Sequence, residues 1–351
     1  MRRAIIGGMP AAPLEREAGM PSRRQLLRAA LTGTAVVGAS MLGGCRVRLE
    51  DDAPAVPFLE RAAIPDEAVL IQTYRQASAL AALAARVPAP LAAEVTPQHQ
   101  RQATVLLEIL TAGGVPRVAI DPVTPTPVGT PAAPGLPSTA DPPAATPAST
   151  TTPSSPQPPA DPAELAAAEL EVLAPAALTA LAAALAHRTL FTAVGAHHAA
   201  TATLLGATPA WPAAPALPAV LAARALDATR AARYAGQVAA ARLTGAHHNQ
   251  ALATLTTLDR RIGDLAEAAS GVAAPAPLGY RLPFPVATAD DAIRLLATAL
   301  GSLVAGGLQS AADLPVAAPA YPHLVRLHTE AVLLARPWGV ALTAFPGLVD
   351  R

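Results

Sequence analysis

Asp161-Pro-Ala-Glu-Leu-Ala-Ala-Ala-Glu-Leu-Glu171 opens the stretch that decides the fold, which runs to Gly206. Asp161 carries the short oxygen-bearing side chain of a helix N-cap, and Pro162 takes the first helical position, where a missing N–H costs nothing. Behind this start the apolar spacing predicts two helices, about 162–186 and 188–206. Pro175 should kink the first, and Gly206 followed by Pro209 should stop the second.

The same punctuation organises the chain on either side. Upstream, helices are expected over about 66–87 and 91–112, broken by Pro88 and Pro90 and closed by Gly113-Gly114. They should form an antiparallel hairpin. Downstream of a Pro-rich joint from Trp211 to Pro218, four more helices are expected near 219–243, 246–269, 288–308 and 320–335. Residues 115–159 form a Pro/Thr/Ser/Ala tract with too many prolines for regular structure, and read as a disordered crossover loop. Each half therefore has connections in the order short, long, short, which is the connectivity of a ferritin-like four-helix bundle. The expected fold is all-α: a first bundle at 58–211, and a second at 212–351 ending in a C-terminal tail.

Composition agrees. The 351 residues are 52% hydrophobic, 14% charged and only 3% aromatic, the apolar part being mostly Ala and Leu, which favours helices over a β-sandwich. No Lys occurs, so a Schiff-base lysine and a P-loop lysine are excluded. The formal charge is zero, but residues 1–44 hold six Arg and two acids, leaving 19 Arg against 23 Asp and Glu beyond them. A mildly acidic product without a basic stripe is no nucleic-acid binder.

Residues 1–44 read as a twin-arginine lipoprotein signal peptide. Ser22-Arg23-Arg24-Gln25-Leu26-Leu27-Arg28 precedes an uncharged apolar run, Ala29–Leu42, that ends Leu42-Gly43-Gly44-Cys45. That run is shorter than the roughly 20 residues of a membrane span but fits a signal h-region behind a positive n-region. Arg23 and Arg24 form the export motif, and Cys45, the single cysteine, is the lipidation site after an apolar-Gly-Gly approach. Met20 offers an alternative start just upstream of the motif. Residues 45–57 are a spacer. The implied partners are the membrane, through the lipid anchor, and the translocase and lipoprotein-processing enzymes met during export; the expected location is the extracytoplasmic face of the cell membrane.

An internal echo supports duplication: Gly195-Ala-His-His198 precedes Leu204-Leu205, and Gly245-Ala-His-His248 precedes Leu252. Tyr280-Arg-Leu-Pro-Phe-Pro-Val286, Thr343-Ala-Phe-Pro-Gly-Leu348 and Arg230–Leu243 resemble a ferritin-like domain family, of unknown function, found in twin-arginine-exported lipoproteins of high-GC Gram-positive bacteria. Gln72-Thr-Tyr-Arg75 and Gly195–Leu205 resemble the upstream bundle that accompanies this domain. The resemblance implies the fold, a Glu near Thr229 and acids near Leu300-Gly301, and neither acidic position is filled here.

The chemistry of a di-iron bundle is not spelled out either. Such a centre needs inward carboxylates and a Glu-x-x-His spacing, because residues three apart share a helix face, and no such spacing occurs. The adjacent members of His197-His198 and His247-His248 diverge by roughly 100° on a helix. One of each pair is expected in the core and the other in water. Neither a Gly-x-Ser-x-Gly elbow nor a phosphate loop is present. No catalytic, cofactor or metal residue is therefore assigned, and the best remaining convergence on one ion is His99, His197 and Glu169. The expected function is a non-enzymatic, membrane-anchored binding or structural lipoprotein; the alternative is a metal-binding ferritin-like protein with an unconventional His/Glu site.

Overall fold

A computed structural model describes residues 61–121 and 158–348. Arg23, Arg24, Cys45, the spacer and most of the Pro/Thr tract lie outside the described residues. Those described contain ten α-helices and no strand. They are α1 (Glu67–Ala84), α2 (Pro90–Ala112), α3 (Arg117–Ile120), α4 (Pro162–Glu171), α5 (Pro175–Ala183), α6 (Arg188–Leu204), α7 (Ala219–Ala240), α8 (Gly245–Ala268), α9 (Ala289–Ala312) and α10 (Tyr321–Ala335). Short 3-10 turns at Leu185–His187 and Arg336–Trp338 join or extend them.

Local chemistry explains the boundaries. Asp161 caps α4 by accepting from the Ala163 amide at 2.8 Å, with Pro162 behind it. Thr288 and Asp291 form a capping box at α9. At Pro175 the expected kink is a complete break: α4 ends at Glu171 and α5 restarts on the proline, bent by 48°. Proline can begin a helix but cannot continue one without losing a backbone hydrogen bond.

α1 folds back on α2, and α7 packs on both α8 and α9. At the centre lies α6, which touches α2, α4, α5, α9 and α10. Every residue from Phe191 to Ala202 is buried. No charged side chain occurs between Arg188 and Arg224, and a helix apolar all round is one surrounded by protein. The core is continuous across the Pro-rich joint, with Leu70, Leu106 and Phe191 in one cluster with Leu221, Leu265 and Tyr321. α9 alone among the described helices is long and apolar enough to cross a membrane, and it packs against α6, α7 and α10.

The beginning of the Pro/Thr tract differs from the loop expected there. Val115 and Ile120 are buried, and Arg75 donates to the carbonyls of Ala119 and Ile120 at 2.8 Å each. Two buried apolar side chains, one just before α3 and one at its end, dock it in the cluster that holds Leu70 of α1 and Leu106 and Leu110 of α2. At the far end Ala160 is also buried, and its amide donates to the Arg86 carbonyl at 3.1 Å.

The aromatic residues pin connectors onto the Ala-rich helices. Trp338 is buried and donates its indole N–H to Thr254 Oγ1 at 3.1 Å, Phe345 is buried, and Tyr280 donates to Asp227 at 2.9 Å.

Candidate metal centre

Three helices and the C-terminal segment meet at a cluster of polar side chains inside the core. α2 contributes His99 and Gln102, α4 contributes Glu169, and α6 contributes His197 and His198; all five are at most 1% exposed. Glu169 is the shared element. Its Oε1 lies 2.8 Å from His99 Nε2, and its Oε2 is hydrogen-bonded to His198 Nδ1. One ligand atom from each of His99, Glu169 and His198 lies within 4.8 Å of the other two. The break at Pro175 ends α4 just beyond Glu169, so the carboxylate sits on the last turn of a short helix packed on α6.

The hydrogen bonds fix which ring nitrogens carry protons. Gln102 donates its amide to the Ala344 carbonyl at 2.8 Å, so its oxygen is the atom that faces His99 Nδ1 at 3.3 Å. His99 Nδ1 must therefore be the donor. In a neutral ring this leaves a lone pair on Nε2, pointing at a carboxylate oxygen 2.8 Å away. Two lone pairs at that distance repel. The arrangement is stable only with a proton or a metal cation held between ring and carboxylate.

His197 has the same polarity. Its Nδ1 donates to the Thr343 carbonyl at 2.8 Å, leaving Nε2 buried without a partner. Its ring centre is 5.2 Å from that of His99 and 5.6 Å from that of His198. An imidazole with one N–H on a backbone carbonyl and the other nitrogen bare is the form in which histidine binds a metal.

The electrostatics follow from burial and neighbours. Burial pushes the Glu169 carboxyl up, but His198, by charge and hydrogen bond, and then His99 outweigh it and hold the group at about 2. For His197, burial and then the charges of His99 and His198 push the imidazole down to about 3, against the pull of Glu169 and the Thr343 carbonyl. Glu169 is thus ionised and His197 neutral at physiological pH. An ionised carboxylate is the form that ligates a metal.

Of the three residues singled out from sequence, His99 and Glu169 are in direct contact, and His197 stands beside them. His198, expected in water if His197 faced the core, is buried and holds the second carboxylate oxygen. The 100° divergence is no obstacle where the whole helix is enclosed. The charge-free run around α6 was the signal for this, and His-x-x-Gln at 99 and 102, one face of a helix, was the signal for Gln102. His247 is exposed and His248 half-buried, with His248 Nδ1 bonded to the Ala240 carbonyl at 2.9 Å, and neither joins the cluster.

No protein-family model, no curated protein and no solved structure matches the chain.

Proposed function

We propose that this chain is a lipid-anchored lipoprotein of the extracytoplasmic face, built as two tandem ferritin-like bundles, which binds one divalent transition-metal ion through His99, Glu169 and His198. The observation that carries the metal reading is the buried carboxylate shared by two imidazoles, one of which, His99, presents its Nε2 to it. Two imidazoles and one carboxylate suit zinc, iron or copper rather than calcium or magnesium, which prefer oxygen ligands. The single buried carboxylate favours one ion over two, because a di-iron pair needs several carboxylates to offset its charge.

The ligands are closed from water, whereas catalytic metal sites keep an open coordination position. This supports a structural or sequestering role and a non-enzymatic protein. Membrane attachment rests on the Arg23-Arg24 and Cys45 motifs.

Elemental analysis of the full chain, after exposure to zinc, iron(II) and copper in turn, tests the proposal. About one ion per chain is expected, lost in Glu169→Gln, since ligand removal abolishes a three-ligand site. A chain that holds none of the three metals would make the cluster a purely structural ion pair. Cys45→Ala should release the protein from the membrane fraction or leave an uncleaved precursor, because the lipid chains supply the anchoring.

A further inference from the structure

His99, Gln102, Glu169, His197 and His198 are each at most 1% exposed, so an ion can reach them only if part of the surrounding wall moves. Helices α2, α4 and α6 supply most of that wall. The C-terminal segment, residues 340–348, supplies the rest, because His197 and Gln102 bond directly to it.

This segment is built differently from the helices. It forms no helix or strand, and among the described residues no amide from Ala341 to Phe345 donates to a backbone carbonyl. Side chains hold its carbonyls instead. Gln98 donates to Leu342 at 2.8 Å, His197 to Thr343 at 2.8 Å, Gln102 to Ala344 at 2.8 Å and His328 to Pro346 at 2.9 Å. The donors come from α2, α6 and α10, so the segment is a strap bolted across three helices. Ala344 and Phe345 pack beneath it with Ala193 and Val194 of α6 and Leu308 of α9. At its end Gly347, φ +85°, passes so close to α9 that a Cβ would lie 2.8 Å from the Val304 carbonyl.

The two kinds of wall differ in what it costs to move them. Withdrawing α2 or α6 breaks a hydrogen-bond ladder of 23 or 17 residues together with the core around it. Helix α4 has only ten residues, but it carries Glu169, so its departure takes a ligand away. Lifting the strap breaks side-chain hydrogen bonds and a few apolar contacts, and His99, Glu169 and His198 stay on their helices. Segments with few backbone hydrogen bonds open at the lowest free energy.

We propose that this strap is the gate of the metal centre: residues 340–348 lift, an ion enters or leaves, and the strap reseats on Gln98, Gln102, His197 and His328. The gate presupposes that the cluster binds metal. Opening precedes both loading and release, so loosening the strap speeds the two alike and leaves the affinity almost unchanged.

Stopped-flow uptake of zinc by the full chain, and its removal by excess chelator, test this. Gln98→Ala removes one bolt, and Gly347→Ala forces a Cβ against the Val304 carbonyl; neither residue is a ligand. Both rates should rise together, about fivefold in Gln98→Ala, the factor for one lost hydrogen bond, and by at least as much in Gly347→Ala. Affinity should change by less than about twofold in the same variants, since opening is common to both directions. Gln98 is half-buried on α2, so its variant keeps the fold even if Gly347→Ala does not. Asp161→Ala, which uncaps α4 instead, should leave both rates as they are. Rates unchanged in the strap variants, or raised equally by Asp161→Ala, would overturn the gate and leave the metal site standing. A full chain that takes up no zinc, iron(II) or copper would remove the metal reading, and the gate with it.

Discussion

The tetrapeptide Gly-Ala-His-His occurs twice, at residues 195–198 and 245–248, and its two copies have opposite fates. In α6 both imidazoles are buried and bonded, one to a carboxylate and the other to a backbone carbonyl. At the start of α8 one is exposed and the other is bonded to the end of the preceding helix. The glycines differ too: Gly195 lies inside a helix where an added Cβ would approach Val325 Cγ1 at 3.1 Å, while Gly245 turns the chain at φ +59°. Four identical residues thus carry no fixed role. What decides is the next shell of sequence: α6 is free of charge for most of its length, whereas α8 carries Asp259, Arg260, Arg261, Asp264 and Glu267 and must show a face to water.

The sharpest way to break this contrast is to replace each pair by Ala-Ala. Without His197 and His198 the Glu169 carboxylate keeps only His99, and the cost expected for breaking a buried ion pair is about 3–5 kcal/mol. Bound metal should be lost as well. Replacing His247 and His248 should change stability by no more than about 0.5 kcal/mol, as for surface sites generally. Urea unfolding of both variants reads the difference, and equal losses would remove the distinction between the two copies.

Acid should expose the inner copy next. The folded values of His197, about 3, and His328, about 4, lie below the 6.5 of the free side chain. Below pH 6.5 the unfolded chain therefore takes up protons that the folded chain refuses. Stability is complete above that pH and falls as the pH drops toward those folded values. Glu169 acts lower, its contribution present above 4.5 and lost between 4.5 and about 2. Each such proton is worth about 1.4 kcal/mol per pH unit at full slope. In His197→Gln the decline between pH 6.5 and 4 should be shallower by one proton, measured from unfolding free energies, with His247→Gln as the comparison. An unchanged slope in His197→Gln would show that the ring is not buried neutral.

A smaller effect is expected from Gln102, which touches no proposed ligand atom but sets the His99 proton through the Ala344 carbonyl. Gln102→Leu should weaken metal binding about 10–100-fold, the usual loss when the partner of a ligating histidine is removed. Gln102→Glu, which can still accept from His99, should recover part of it. Identical affinities in all three proteins would detach the C-terminal segment from the centre.

These contrasts also mark what sequence alone can convey. Helix spans were legible to within a few residues for the long helices, because Asp161-Pro162, Gly113-Gly114, Gly206 and the proline breaks act through local backbone chemistry. Docking of α3 was not legible, since Val115 and Ile120 are two apolar residues at the edge of a proline-rich tract and their burial depends on the hairpin beneath them. The cluster was half legible. His99, Glu169 and His197 could be named as polar residues on apolar helices, but which α6 histidine meets the carboxylate depends on helix rotation and on a segment more than 140 residues away at Thr343. The export and lipidation proposed for Arg23, Arg24 and Cys45 would depend on recognition by other proteins, a different kind of information from the fold.

The smallest effects should come from the two glycines, and they separate backbone from packing. At Gly245, φ +59° places any L side chain in the left-handed region, where the cost is roughly 1–2 kcal/mol, and an added Cβ meets no neighbour that could alter this. Gly245→Ala should therefore destabilise by about 1 kcal/mol, and Gly245→Asn by less, because Asn tolerates this conformation. Gly195 sits in a helix, where alanine is intrinsically favoured by up to about 1 kcal/mol, yet its Cβ would press on Val325 at 3.1 Å. The two terms oppose, and Gly195→Ala should end within about half a kcal/mol of the parent if α10 yields by a few tenths of an ångström. The variant Gly195→Ala with Val325→Ala removes the contact and tests the balance: recovery beyond the cost of Val325→Ala alone, measured as a double-mutant cycle, assigns the loss to packing. No coupling between the two positions would mean that α6 and α10 do not meet at Gly195 as tightly as their side chains indicate.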